Sequence, residues 1–413
     1  MDRKIKKILR IIVIICILIL VFDLGFLVYN RFFKEKKIVY FDSINNFEIL
    51  GDEIISVGSN SNNNEGYEKA KITLYDKNNQ KKWETLYNKK YNSSFASVKK
   101  DTKEENYVAV GSYEFNKKEH SEGVRSAVIS KFDKDGKFLA DRRFQVLGNS
   151  KFTDVIVVDD GYIVVGQSIY ENMTLGVSDE GGAFIIKYDK ELKEVWKKNY
   201  GGSKSGLYNS LMIYDNYIYA VGKDYARCGI VSKYSLDGEL IDTVTYDFTD
   251  TIGFTGIATD GENIFVVGSK KVKEDKMDYD TDALIVKYNF DLEELGSKVY
   301  TGKGIERYNR VIVDSNSNIV VVGQTGIYNK EKSTSELNVF SYDGIIAKYD
   351  SNLKELLVDK YGDNEDDFFT NIVEKDKYYY ISGYSTYDGS YLSKFVVYTK
   401  SGKLKEVSSW KYV

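Results

Sequence analysis

The chain has 413 residues with 58 basic and 62 acidic side chains, one histidine, two cysteines and no proline. A net charge of -4 leaves no global basic field for nucleic acid, and a single histidine leaves a histidine-based zinc centre or a His-dependent triad almost nothing to work with. Cys16 stands in an apolar run and Cys228 in a distant loop, so no disulfide framework holds the fold.

In chain order the first predicted element is a membrane anchor. Residues 11–29 carry one charge, Asp23, and fifteen of the 19 are Leu, Ile, Val or Phe. At 1.5 Å per residue such a helix reaches about 28 Å, enough for the hydrocarbon core. The apolar residues supply about -4 to -9 kcal/mol against about +3 for one Asp. A cleaved signal peptide would need small residues at a cleavage site, and none follows the apolar run. The expectation is therefore a short cytoplasmic tail at 1–10, an uncleaved span at 11–29, a juxtamembrane linker at 30–46 and the remainder outside the cell membrane. Orientation rests on a narrow contrast, five basic residues before the span and four after it.

From residue 47 to 413 one unit repeats. A Gly closes an apolar run at Gly58, Gly111, Gly166, Gly222, Gly268, Gly323 and Gly383, a period of about 54. A small residue opens the next run at Ala70, Ala127, Ala183, Gly229, Ala283, Gly344 and Ser393. Five residues later comes an aromatic, from Tyr75 to Tyr398, and twelve after that another, from Tyr87 to Trp410. In the third copy the runs are DVIVV, YIVVG, AFIIKY and EVWKKNY, each bounded by Gly, Asn or Asp, which predicts a four-strand meander. Such a sheet cannot cover both faces alone, so the units must stack. The choice lies between a ring and an open β-solenoid, and the terminal copies show no polar caps. The predicted fold is all-β: a seven-bladed β-propeller of four-stranded antiparallel blades behind a transmembrane helix. How the ring closes is left open: residues 38–41 could supply a closing strand but are out of register with the repeat, so they are read as a linker that adds on outside.

Strand alternation sends the second-to-third loops and the blade connections to one face and the remaining turns to the other. The third-to-fourth turn has one length in every copy, whereas the second-to-third loops run 11, 15, 16, 6, 14, 20 and 9 residues. Variable loops on a rigid frame are where binding resides. That marks Tyr113, Tyr170, Tyr225, Tyr279, Tyr328 and Tyr387 as candidate stacking residues for a sugar or peptide. On the same face the connection GDNEDD offers Asp363, Asn364, Asp366 and Asp367 as oxygen ligands for calcium, without the EF-hand order and with a solvated turn as the plain alternative. No catalytic residue is assigned. His120 is a lone loop histidine, and the loop acids Asp179, Glu180, Asp278, Asp280 and Asp282 leave a glycosidase pair open.

The stretch GGAFIIKYDKELKEVWKKNYGG, with DTDALIVKYNFDLEEL and DGIIAKYDSNLKEL later, resembles the bacterial seven-bladed propeller repeats of the SBBP and PQQ-like kind. The resemblance covers nearly everything after the anchor and implies an exported or surface setting. LYDKNNQKKW is similar to a PQQ-type third-to-fourth hairpin, but the Thr-Gly step before the Trp is missing, so no quinone site or other cofactor carries over. The reading is a non-catalytic binding or scaffold module for a protein or glycan partner. Its alternatives are an envelope assembly or export factor and a glycan-active enzyme.

Overall fold

The computed structural model describes residues 42–409 apart from 62–66, 88–90, 116–123, 145–148, 170–181, 201–205, 225–227, 247–250, 273–280, 303, 329–339, 363–365 and 388–389. The 11–29 span and residues 38–41 lie outside the described residues, among which no helix is long and apolar enough to cross a membrane. Tyr40–Val413 forms one compact unit. It holds seven four-stranded antiparallel sheets, each a simple meander in chain order. The blades run Asp42–Leu86, Ser93–Phe144, Asn149–Tyr200, Leu207–Tyr246, Thr251–Tyr300, Arg307–Tyr361 and Asp367–Ser409. The first blade starts five residues before residue 47, inside the stretch assigned to the linker.

Each element of the repeat has a mechanical reason. The innermost strand of every blade carries a bulge beside the repeat Gly, as at Phe95/Ser97 and Tyr208/Ser210. There its backbone presses so close that a Cβ on Gly58, Gly166 or Gly222 would stand 1.9, 2.1 or 1.8 Å from a carbonyl oxygen. Only glycine fits. The small residue opening the third strand leaves room for an aromatic of the next blade: a Cβ on Gly229 would meet the Phe254 ring at 2.8 Å, and one on Gly344 the Phe369 ring at 2.9 Å. Against those same rings lie the last aromatics of the preceding blades. The pairs Tyr87–Phe95, Phe144–Phe152, Tyr200–Tyr208, Tyr246–Phe254, Tyr300–Tyr308 and Tyr361–Phe369 have centroids 5.4 to 6.3 Å apart. The core is thus a ring of aromatic junctions between blades.

A hydrogen-bond belt follows the same circle. The extra residue of each bulge donates to a carbonyl of the next innermost strand: Asn45 to Phe95 at 2.7 Å, Thr153 to Tyr208 at 2.6 Å, Asn209 to Phe254 at 2.6 Å, Thr255 to Tyr308 at 2.6 Å and Asn309 to Phe369 at 2.8 Å. Thr370 closes the circle onto Ile44 at 3.2 Å. Ala96, at the second junction, has no donor to give. Among the described residues no strand is exchanged between first and last blades, and side chains join the two. Asn371 donates to the Phe47 carbonyl at 3.2 Å, and the Phe47 and Phe395 rings meet edge-on at 5.2 Å.

The face of short turns is a single device repeated. Asp76, Asp133, Asp189, Asn289 and Asp350 each accept from the amides two and four residues on, and Ser235 and Thr399 accept from the amide four residues on. The fourth turn residue has positive φ in every blade, at Asn79, Gly136, Leu192, Gly238, Leu292, Leu353 and Gly402. At six junctions the turn's second carbonyl is held by the preceding blade. Lys131, Lys233, Lys287 and Lys348 donate their ammonium groups, and Trp83 and Trp196 their indole N–H, over 2.7 to 3.2 Å.

Candidate functional site

At each bulge one residue turns toward the ring's axis. The register places Ser97, Asp154, Ser210, Gly256 and Arg310 at this level in blades two to six. Arg310 reaches across from blade six. Its guanidinium donates to the Ser210 hydroxyl at 3.0 Å and to Asp154 Oδ2 at 3.4 Å, while Ser97 and Ser210 donate to the same carboxylate at 2.7 and 2.8 Å. Asp154 is buried. The ion pair links blade six to blade three, with the Gly256 backbone close against the Arg310 main chain.

Lys151 and Arg307 hold the same register position in blades three and six, one residue before the inter-blade aromatics Phe152 and Tyr308. The Lys151 ammonium makes no hydrogen bond or ion pair among the described residues, although its side chain is open to solvent. Its pKa is lowered first by desolvation of the part of the side chain that the protein covers, and further by the like charges of Lys223, Arg125 and Arg307. Burial likewise lowers Arg307, whose Nε is shut away from water without an acceptor. Arg125 is paired with Glu114 at 3.4 Å, and Lys223 is engaged as well. Next to Arg307, Phe368 and Tyr384 stack at 4.8 Å with 24° between their planes, both half-buried.

The predicted site residues fare unevenly. Tyr113 is only 5% exposed, because the second strand continues to Phe115 and packs its ring against Tyr87 at 6.1 Å, with Arg143 over it. It is a junction residue and not a stacking platform. Tyr328 and Tyr387 end lengthened second strands, which places both on ladders and not in loops. Tyr170, Tyr225 and Tyr279 lie outside the described residues, as do Asp363, Asn364 and His120. Asp366 accepts from the Tyr342 amide at 2.9 Å, the part Asn92 and Asn149 play at other junctions. Asp367 is buried, accepts from the Ser385 hydroxyl and pairs with Lys394 at 2.6 Å. Both carboxylates therefore already have protein partners, and among the described residues no His, Cys, Asp and Glu cluster has metal-binding spacing.

One acidic constellation escaped the sequence reading. Glu68 accepts from the Ser59 hydroxyl, its amide donates to Asn92, and Asn92 donates to Glu114 at 2.9 Å. Burial raises the Glu68 pKa, Ser59 and Arg125 oppose the rise, and Glu114 adds to it. Its members come from two blades and a connection, so nothing in their spacing announces them.

No family model and no curated protein matches the chain. Solved structures match by shape. The Pan2 WD40 domain of Neurospora crassa aligns with a TM-score of 0.53 at 9% identity, over 87% of this chain and 90% of that one. A Bacteroides uniformis candidate 6-phosphogluconolactonase gives 0.52 at 12%, over 86% and 95%. A Bacteroides fragilis counterpart gives 0.51 at 10%, over 88% and 95%. At such identity the likeness carries the fold alone.

Proposed function

We propose that this chain is a non-catalytic binding or scaffold propeller of the SBBP and PQQ-like repeat kind. It is held at the cell membrane by its 11–29 span, with its loop face turned to a protein or glycan partner. The observation that carries the reading is the asymmetry of the two faces. On one, all seven turns are built alike and six are locked to the preceding blade. On the other, loops of unequal length surround two cations that no described side chain neutralises. A surface fixed by packing has no freedom to specialise, while variable loops on a rigid ring do.

The test compares full-length protein in detergent on glycan and peptide arrays with a variant whose 329–339 connection is replaced by six residues. Loop-closure entropy changes by about 0.6 kcal/mol per doubling of length, so stability should hardly move while binding weakens. Capture that survives replacement of this loop and of the other long loops would overturn the assignment. Turnover of any array glycan would replace the non-catalytic reading by the glycan-active one.

A further inference from the structure

We infer that the outer edge of blade four is a docking site for an extended basic segment of a partner protein, which adds to the sheet as a fifth strand. The site is separate from the loop face and does not rest on it. Among the described residues every blade ends in an outermost strand that pairs on one side only, with the third strand of its own blade. Such an edge is a template for strand addition, and proteins guard it with charged side chains, lysine above all. Six of the seven carry this guard: Lys82, Arg142, Lys197, Lys298, Lys360 and Lys405 stand on the outermost strands of blades one, two, three, five, six and seven. That of blade four, Leu240–Tyr246, reads LIDTVTY and has no basic residue. Its Ile, Val, Tyr and two Thr favour an extended backbone, and Leu240 and Ile241 leave 47% and 48% of their surface to solvent. The bulge at its start recurs in all seven outermost strands, so it gives blade four no protection that the others lack.

The missing guard leaves charge of one sign. Residues 235–250 include five acids, Asp237, Glu239, Asp242, Asp247 and Asp250, and no lysine or arginine. Asp237, Glu239 and Asp242 are exposed, as are Asp291, Glu293 and Glu294 around the same turn of blade five. Lys233 stands opposite Asp242 in the ladder, but its ammonium donates to the Phe290 carbonyl at 2.9 Å and lies 4.4 Å over the Tyr217 ring. The Asp242 carboxylate accepts from the Thr243 amide of its own strand at 2.7 Å. An incoming strand can take over that amide with a main-chain carbonyl and the carboxylate with a cation. Charge decides among occupants. A second copy laid on this edge would bring two sets of Asp237, Glu239 and Asp242 to one seam, and like charges close across a ladder are destabilising. A segment that alternates basic and aliphatic residues complements both the acids and the exposed Leu240 and Ile241.

Titration of full-length protein in detergent with three labelled heptapeptides tests the inference: one alternates Lys and Val, one alternates Glu and Val, and one is the Lys–Val peptide with a central proline. The Lys–Val peptide should bind, and hydrogen exchange should slow in Leu240–Tyr246 and not in the other outermost strands. The Glu–Val peptide should not bind, and proline, which cannot donate to a ladder, should weaken binding by about tenfold or more. Ile241→Lys gives blade four the lysine that Lys82 and Lys405 supply at that register position in blades one and seven. It and Asp242→Asn should each weaken binding by about tenfold or more, with the thermal midpoint of Ile241→Lys within a few degrees of the parent. Absence of Lys–Val binding, equal binding of the proline or Glu–Val peptide, protection outside blade four, or indifference to both substitutions overturns the inference. So does a peptide-free dimer that Ile241→Lys dissolves, which would put a second copy on this edge.

Discussion

Asp101 shows how a single side chain ties two blades together. It ends the innermost strand of blade two, is 1% exposed, and accepts from the Tyr162 hydroxyl at 2.9 Å and the Lys190 ammonium at 2.6 Å, both in blade three. Burial alone would raise its pKa; the bonds from Lys190, Tyr162 and the Glu104 amide outweigh it and hold the carboxyl below its ordinary value. A folded pKa below the unfolded one contributes stability above about pH 4, and that stability is lost as pH falls through the folded value. Asp101→Asn should therefore cost about 1.5–3 kcal/mol at pH 7, and the gap between mutant and parent should close on acidification, as followed by urea unfolding at pH 7 and pH 3. A gap as wide at pH 3 as at pH 7 would mean the carboxylate's charge is irrelevant. In the sequence this Asp precedes an ordinary turn. Its partners lie about a blade's length away, and only the ring brings them to it. The same limit explains Tyr113: its position relative to Gly111 suggested a loop, whereas the strand continues past the glycine and buries the ring.

Between elements, the blades fit by complementary size. Where the fourth strand carries a large residue opposite the next turn, the turn has glycine: a Cβ on Gly136 would stand 2.5 Å from the Trp83 ring, one on Gly238 2.8 Å from Trp196, and one on Gly402 2.2 Å from Leu357. Where the register gives the fourth strand Ala140, Asp242 or Gly296 at that position, the next turn supplies Leu192, Leu292 or Leu353. These leucines accept a left-handed backbone at φ of 62° and are 3%, 3% and 8% exposed, so burial of the side chain offsets the strain. Gly136→Leu alone should overpack Trp83 and cost about 1–3 kcal/mol. Added to Trp83→Ala it should recover stability relative to Trp83→Ala alone, with a coupling of at least ~1 kcal/mol in a double-mutant cycle read by chemical denaturation. Simple additivity would show that the two positions do not sense each other. The fixed length of this turn was legible in the sequence, because one geometry recurs; the trade between strand and turn was not, since each half belongs to a different repeat.

For the whole molecule, seven copies of Gly, small residue and aromatics made the ring legible, because each enforces a contact that every junction needs. The cluster around Lys151 was not legible. Lys151, Lys223 and Arg307 break the repeat individually, and a deviation from a pattern has no meaning until the ring places the deviants together. The seam between the last and first blades is also exceptional. It has neither the lysine or tryptophan donor of the other six junctions nor a matched pair of sizes, having Glu406 where the others have a large or small partner and Asn79 in the turn. A cleft of ≈190 Å³ opens there, lined by Ile49, Asp76, Asn79, Tyr380, Val397 and Glu406 among others. Because no strand crosses the seam among the described residues, a circular permutant of residues 42–409 opened at the blade connection 247–250, with residues 409 and 42 joined by a short linker, should form the same ring. It should melt within a few degrees of the parent. A collapse of cooperative melting in the permutant would show that the seam is held by more than the side-chain contacts described.

The absence of strand exchange also sets a timetable for synthesis. During translation the first blade emerges with one flank, including Phe47 and the Ile44 carbonyl, waiting for Asp367–Ser409, the last segment with a described strand to leave the ribosome. Every shorter nascent chain is an open arc with two apolar ends, and no described strand pairs across the gap to hide them early. Completion is therefore a single late event, and a chain truncated before Asp367 is marked by its two bare ends for whatever proteases or chaperones read exposed aromatic surface.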